Sequence, residues 1–262
     1  MSALPRRALL ALAALPASAA LAPDFLAPEA IGAEAPAPEA LALRAADGVA
    51  VYGTLVPAGG RRRGTLLLFH MAGSNRGEYA PIQPELARQG FDSLAIDQRS
   101  GGTLWGRRNE TAAALGRDPG YAAAMPDLRA ALAWARQRDP AGPVLVWGSS
   151  YSAALVFLLA AEAGPAVSGL LAFSPGEYLG GVSVRSAAAR CACPAFVTSA
   201  SDSEEVDAAA RLLAAVAGAP KRQFRPRQGL HGSATLRADR NPAGAAAAWA
   251  AVNAFLAEVV PA

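Results

Sequence analysis

The chain has 262 residues, 53% of them apolar, which is enough to bury one substantial core and short for two. Its 24 basic and 21 acidic residues give a net charge of +3, and Arg6 and Arg7 fall in a segment expected to be removed, so the remainder nearly cancels. A nucleic-acid-binding surface is therefore not expected, and the one dense basic run, Arg61-Arg-Arg63, reads as a solvated turn.

The N-terminus has the three-part layout of an export signal: Arg6-Arg7, an apolar stretch from Ala8 to Leu15, then Pro16 and the small-residue site Ala17-Ser-Ala19. Arg6-Arg7-Ala-Leu-Leu10 also resembles the core of a twin-arginine signal. The apolar stretch is too short for a stable membrane span. These features predict a signal over 1–19 and a periplasmic or secreted protein. Residues 20–39, dominated by Ala, Pro and Glu, predict a flexible linker, with the folded domain at 40–262. Cys191 and Cys193 sit too close in sequence for an easy bridge and offer too few neighbours for a metal, so buried or locally paired thiols are expected.

In chain order, Leu41 to Arg44 and Val49 to Val56 predict an antiparallel hairpin turning at Asp47-Gly48. Thr65 to Phe69 is a short, mainly apolar run of the kind that is buried on both faces of a parallel sheet. It ends in His70-Met-Ala-Gly-Ser-Asn75, and a helical pattern follows from Tyr79 to Gln89. Phe91 to Ile96 is the next strand, ending in Asp97-Gln-Arg-Ser-Gly-Gly102; an Asp–Arg pair can brace loops, and that role is expected of Asp97 and Arg99, with substrate binding as the alternative. Residues 102–120 show no period and predict an irregular pocket wall. A helix over Tyr121 to Arg138 then leads to the strand Pro143 to Trp147, which runs without a loop into the helix Ser152 to Ala163.

Between that strand and helix lies Gly148-Ser-Ser-Tyr-Ser152, small residues at a sharp turn with Ser150 at its centre. The segment resembles the nucleophile elbow G-x-S-x-G of the α/β-hydrolase family, with Ser152 in place of the last glycine. The resemblance extends along the chain. The family usually carries His-Gly-x where His70-Met71-Ala72 stands, which implies a backbone N–H donor for an oxyanion at Ala72, or at Met71, with His70 supporting the loop; Tyr151 N–H is the second donor implied. Further strands, Val167 to Phe173 and Pro194 to Ser199, leave only about twenty residues between them, so no cap domain is expected, as in the dienelactone-hydrolase-like branch. That branch typically uses cysteine where this chain has Ser150. After Ser199 come Asp202, Glu204 and Glu205 and a helix from Val206 to Ala217. Asp202, first after the strand, is read as the triad acid, Glu204 and Glu205 as first-turn acids of the helix, and Glu177 as a rival. Gln223 to Arg225 predicts an edge strand, Gly229-Leu-His-Gly-Ser233 resembles the family's histidine loop, and Ala243 to Val259 closes the domain.

The fold expected is thus α/β, a mostly parallel sheet covered by helices on both faces with an antiparallel start. The order Ser150, Asp202, His231 is that of α/β-hydrolases. The resemblance implies a serine hydrolase acting on a small acyl substrate, an ester foremost. Peptidase or thioesterase action, or ligand binding without turnover, are the alternatives. No dinucleotide or phosphate-loop motif asks for a cofactor, and no metal is expected.

Overall fold

The computed structural model describes Met1 and residues 36–261. The expected signal and most of the expected linker lie outside the described residues. Eight strands form one sheet: β1 Glu39–Arg44, β2 Ala50–Val56, β3 Gly64–Phe69, β4 Phe91–Ile96, β5 Val144–Ser149, β6 Gly169–Phe173, β7 Ala195–Thr198 and β8 Lys221–Gln223. Their order is β1-β2-β4-β3-β5-β6-β7-β8. β2 runs antiparallel to both β1 and β4, and every other pair is parallel. The helices are α1 Gln83–Arg88, α2 Glu110–Leu115, α3 Met125–Arg138, α4 Tyr151–Ala163, α5 Val184–Ala188, α6 Ser203–Ala215 and α7 Ala245–Val259. Among the described residues no helix is long and apolar enough to cross a membrane.

The apolar runs become central strands because alternate side chains serve two cores. Leu67 and Phe69 of β3, with Val144 and Val146 of β5, pack on one face beneath α3, α4, α5 and α6. Leu66 and Leu68, with Leu145 and Trp147, pack on the other beneath α1 and α7. The register sets Phe69 beside Gly148 and Ser149 beside Phe173, so β3, β5 and β6 end at one level and their following loops converge there. This is the carboxyl edge at which open α/β sheets place their sites.

Local departures from the expected elements have local causes. The first hairpin turns through Ala45–Val49, with Ala45 N–H donating to Val49 O at 2.9 Å and Gly48 at φ 86°, and the Asp47 carboxylate in this turn pairs with Arg99. The pattern at Tyr79 to Gln89 breaks into a 3₁₀ turn, Arg76–Tyr79, and the shorter α1, which starts beside Pro84. Residues 102–120 include α2, capped by Asn109, whose Oδ1 accepts Ala112 N–H at 2.7 Å. Only α5 and loops separate β6 from β7, so no cap domain is interposed there. Cys191 and Cys193 are both buried and unbridged. Burial pushes their thiols up, to about 12 and about 11.

Candidate active site

Ser150 occupies the turn from β5 to α4 with φ 58° and ψ −120°, a conformation that residues with a Cβ rarely adopt and that persists only where surroundings impose it. Its N–H donates to Phe173 O at 2.8 Å. The turn is tight enough that a methyl group on Gly148 would collide with the Ser152 carbonyl, which is why glycine stands there. Ser152 does more than stay small. Its hydroxyl donates to His70 O at 2.6 Å and accepts from Gln98 Nε2 at 2.6 Å, tying the elbow to the loop after β3.

His231 lies on the loop before a 3₁₀ turn, Gly232–Leu236, and reaches the elbow from the far side. Its Nε2 is 2.8 Å from Ser150 Oγ. Its Nδ1 is 2.6 Å from Oε1 of Glu205. The acid that meets the imidazole is therefore Glu205, and the assignment of Asp202 is corrected. Asp202 is the N-cap of α6: its Oδ1 accepts Glu205 N–H at 3.0 Å. Coming first after the strand put it outside the site, while Glu205, three residues on, points back over the strand ends. Glu205 Oε2 also accepts Ala200 N–H at 3.0 Å. Burial would raise the Glu205 carboxyl, but hydrogen bonds from His231, the Ser174 hydroxyl and Ala200 N–H outweigh it and hold the group at about 2. The same contact raises His231 above its ordinary value against the opposing effect of burial. Glu177 is elsewhere, accepting Val184 and Arg185 N–H at 2.7 and 2.8 Å at the start of α5.

The candidate oxyanion donors sort themselves by what is already bonded. Met71 N–H donates to Glu78 Oε2 at 2.9 Å and is thereby removed as a candidate. Among the described residues, the N–H groups of Ala72 and Tyr151 meet no acceptor. Tyr151 N–H is the first of α4, where helix geometry leaves such groups free. His70 is fully buried; its Nδ1 meets Met71 O at 2.8 Å, and its Nε2 accepts Gln98 N–H at 3.0 Å. Burial lowers it to about 4, so it stays neutral and braces the loop. Asp97 and Arg99 do not pair with each other. Asp97 binds Arg76, whose N–H it accepts at 2.8 Å, and Arg99 joins Asp127 and Asp47.

Tyr121 stacks on Tyr151 with centroids 4.4 Å apart, and Leu104, Tyr178 and Leu230 are also exposed. Met71 lines a cleft of about 500 Å³ with Leu104, Trp105 and Arg240. Among the described residues no cluster of side chains fits a metal ion. Sequence reading missed Glu78 and Gln98, which carry no motif of their own, and placed Glu205 on the surface.

A mostly parallel sheet in this order, a strained serine at the end of β5 and a histidine against its hydroxyl define an α/β-hydrolase. Residues 60–203, more than half of the chain, match the family model described as serine aminopeptidase, S33, and the chain belongs to that family of hydrolases. Among solved structures it is similar to dienelactone hydrolase of Anabaena variabilis, at 18% identity over 86% of this chain and 99% of that one, with a TM-score of 0.68. An esterase of Pyrococcus furiosus gives 18%, 85%, 93% and 0.65 on the same measures. Acylaminoacyl peptidase of Pyrococcus horikoshii gives 10%, 87%, 42% and 0.65. At these identities the likeness is one of fold. Comparison with curated proteins returns no match.

Proposed function

We propose that this hydrolase cleaves small esters through an acyl-enzyme formed on Ser150. The observation that carries the reading is the unbroken line from Ser150 Oγ to His231 Nε2, 2.8 Å, and from His231 Nδ1 to Glu205, 2.6 Å, at a turn that holds the serine strained. In the first half, His231 Nε2 takes the hydroxyl proton as Ser150 Oγ attacks the acyl carbon; the Tyr151 and Ala72 N–H groups receive the oxyanion, and the proton passes to the leaving alkoxide. In the second half, water gives its proton to Nε2 and attacks the acyl carbon; the acyl–Oγ bond then breaks as Nε2 returns the proton to Ser150 Oγ, which releases the acid and restores the enzyme. Glu205 fixes the imidazole tautomer and stabilises the imidazolium. Each oxyanion donor is worth roughly 3 kcal/mol in the transition state.

An ester is favoured over a peptide N-terminus because Glu205, the carboxylate that meets the nucleophile's histidine, is already engaged at both oxygens by His231 and Ala200 N–H and is not free to hold an ammonium group. The test is labelling by a fluorophosphonate, with the adduct mapped to Ser150, followed by turnover of p-nitrophenyl esters of rising chain length beside aminoacyl p-nitroanilides and an acyl thioester. Faster turnover of the anilides or the thioester would replace the ester reading, and a labelled Ser150 without turnover of any would leave a binding protein. Export of the mature chain from near Ala20 is proposed on Arg6-Arg7, the apolar stretch and Ala17-Ser-Ala19. Protein sequencing of the N-terminus from an envelope extract checks it, and an intact Met1 or Ser2 would refute it.

A further inference from the structure

Glu78 stands on the 3₁₀ turn Arg76–Tyr79, with Asn75 as N-cap, a pattern that in sequence reads as a surface acid of a helix start. Its side chain is instead fully buried. Oε2 accepts Met71 N–H at 2.9 Å and the Ser74 hydroxyl at 3.2 Å. Oε1 is buried and makes no hydrogen bond of ordinary geometry. It faces the histidine loop: a methyl group on Gly232 would come within 3.7 Å of Oε1 and 3.5 Å of Met71 Sδ. Beside it lies the Ser149 hydroxyl, which accepts Ser233 N–H at 3.0 Å. A buried carboxyl without a tight set of partners is destabilising, so its position calls for a reason.

The reason lies in the peptide plane that joins Met71 to Ala72. A trans peptide holds Met71 C=O and Ala72 N–H on opposite sides of one rigid plane, so fixing one aims the other. Met71 C=O is held by His70 Nδ1 at 2.8 Å and by Ser74 N–H at 3.3 Å. Met71 N–H, on the preceding plane, is held by Glu78. We propose that Glu78 is a positioning residue for the oxyanion hole: its carboxyl clamps the loop Met71–Ser74 against the histidine loop and so keeps Ala72 N–H aimed at the substrate oxygen. Burial pushes the Glu78 carboxyl up, toward the neutral form. Through Oε2 it accepts from Met71 N–H and the Ser74 hydroxyl, two bonds that the side-chain carbonyl oxygen of a glutamine can also accept.

The proposal rests on Ser150 as nucleophile, and its test keeps the two apart. Rates of acylation by a fluorophosphonate, and kcat and KM for the best ester, are measured on wild type, Glu78→Gln and Glu78→Leu, with circular dichroism on each. Glu78→Leu is expected to acylate ~100-fold more slowly, the loss typical of one misdirected oxyanion donor, with KM within about threefold of wild type. Glu78→Gln is expected to stay within about fivefold. A folded Glu78→Leu that acylates at the wild-type rate overturns the proposal, and so does a Gln variant as slow as Leu. If Glu78→Leu does not fold, Glu78→Asp takes its place, since its carboxyl is one methylene short of Met71: an equal loss supports the clamp and an unchanged rate overturns it. Wild-type protein labelled at another serine would refute the nucleophile instead.

Discussion

Glu205→Gln is the substitution that separates the acid seen beside His231 from the acid that comes first after the strand. Both carboxyl oxygens of Glu205 are in use, Oε1 by His231 Nδ1 at 2.6 Å and Oε2 by Ala200 N–H at 3.0 Å. Both partners are donors when the imidazole carries its proton on Nδ1. A glutamine has one acceptor and one donor, so it must set its NH₂ against either Ala200 N–H or His231 Nδ1–H. In the second arrangement the proton moves to Nε2, and the ring can no longer accept from Ser150. In the best-studied triad, which is another protein, the corresponding acid-to-amide change lowers turnover ~10⁴-fold, about 5.4 kcal/mol of barrier. Glu205 is partly exposed, so water can satisfy some of these groups, and a fall of ~10³-fold or more is expected here. Asp202→Asn should leave kcat within about threefold, because asparagine caps a helix as well as aspartate does, and Asp202→Ala should lower stability by ~1 kcal/mol with little effect on turnover. Ester kcat and urea unfolding on the three variants decide the matter. A folded Glu205→Gln with near wild-type kcat, beside an Asp202→Asn slowed more than a hundredfold, would refute the reasoning.

Other outcomes follow from the same geometry. Activity should fall in acid as His231 gains a proton, with a midpoint above the ordinary histidine value of about 6.5, because the Glu205 contact favours the charged ring; Glu205→Gln should move the residual midpoint downward, and a midpoint that stays put counts against that coupling. Glu205 itself, held at about 2, contributes stability that is present above the usual glutamate range near 4.3 and lost as pH falls toward 2. Gly148→Ala should destabilise by ~3 kcal/mol, the upper end for overpacking, since the obstruction is backbone; an unchanged urea midpoint would count against it. Arg99→Ala strands the buried Asp127 carboxylate and should cost about 3–5 kcal/mol, seen as a fall in Tm of roughly 10 °C by calorimetry; a fall below roughly 2 °C would show that the pair is dispensable.

What could be read from the residues tracks what is local. The strands announce themselves because β3, β4 and β5 are buried on both faces and so are mainly apolar. The elbow is legible because backbone crowding at Gly148 admits one residue type. The acid was not legible, since Asp202-Ser-Glu-Glu205 presents three carboxylates within one turn and only the direction of α6 chooses among them. Asp202 is also a good N-cap, and capping and catalysis make the same demand on a residue just past a strand. Asp97 and Arg99 lie close enough in sequence to suggest each other, yet β4 turns them to different neighbours, Arg76 on one side and Asp127 on the other. Glu78 could not be found at all, because its Met71 partner is a backbone N–H that leaves no mark in the residue types, and the Gly232 loop it faces is brought to it only by the folded sheet.

Ser152 stands where the motif usually carries glycine, and its hydroxyl is one end of a bridge built on a single amide. Gln98 accepts His70 N–H through Oε1 at 2.8 Å, while its Nε2 donates to Ser152 Oγ at 2.6 Å and Tyr151 OH at 3.1 Å. A return to glycine at 152 would strip partners from the Gln98 amide and the His70 carbonyl, each left buried at ~1–3 kcal/mol. Restoring the commoner residue would therefore be a loss in this background. The two positions are coupled: Ser152→Gly is expected to cost less when residue 98 is changed with it than when Gln98 is kept. Transplanting the pentapeptide Gly148–Ser152 into another hydrolase would carry half of a joint, and the recipient would need Gln98 as well.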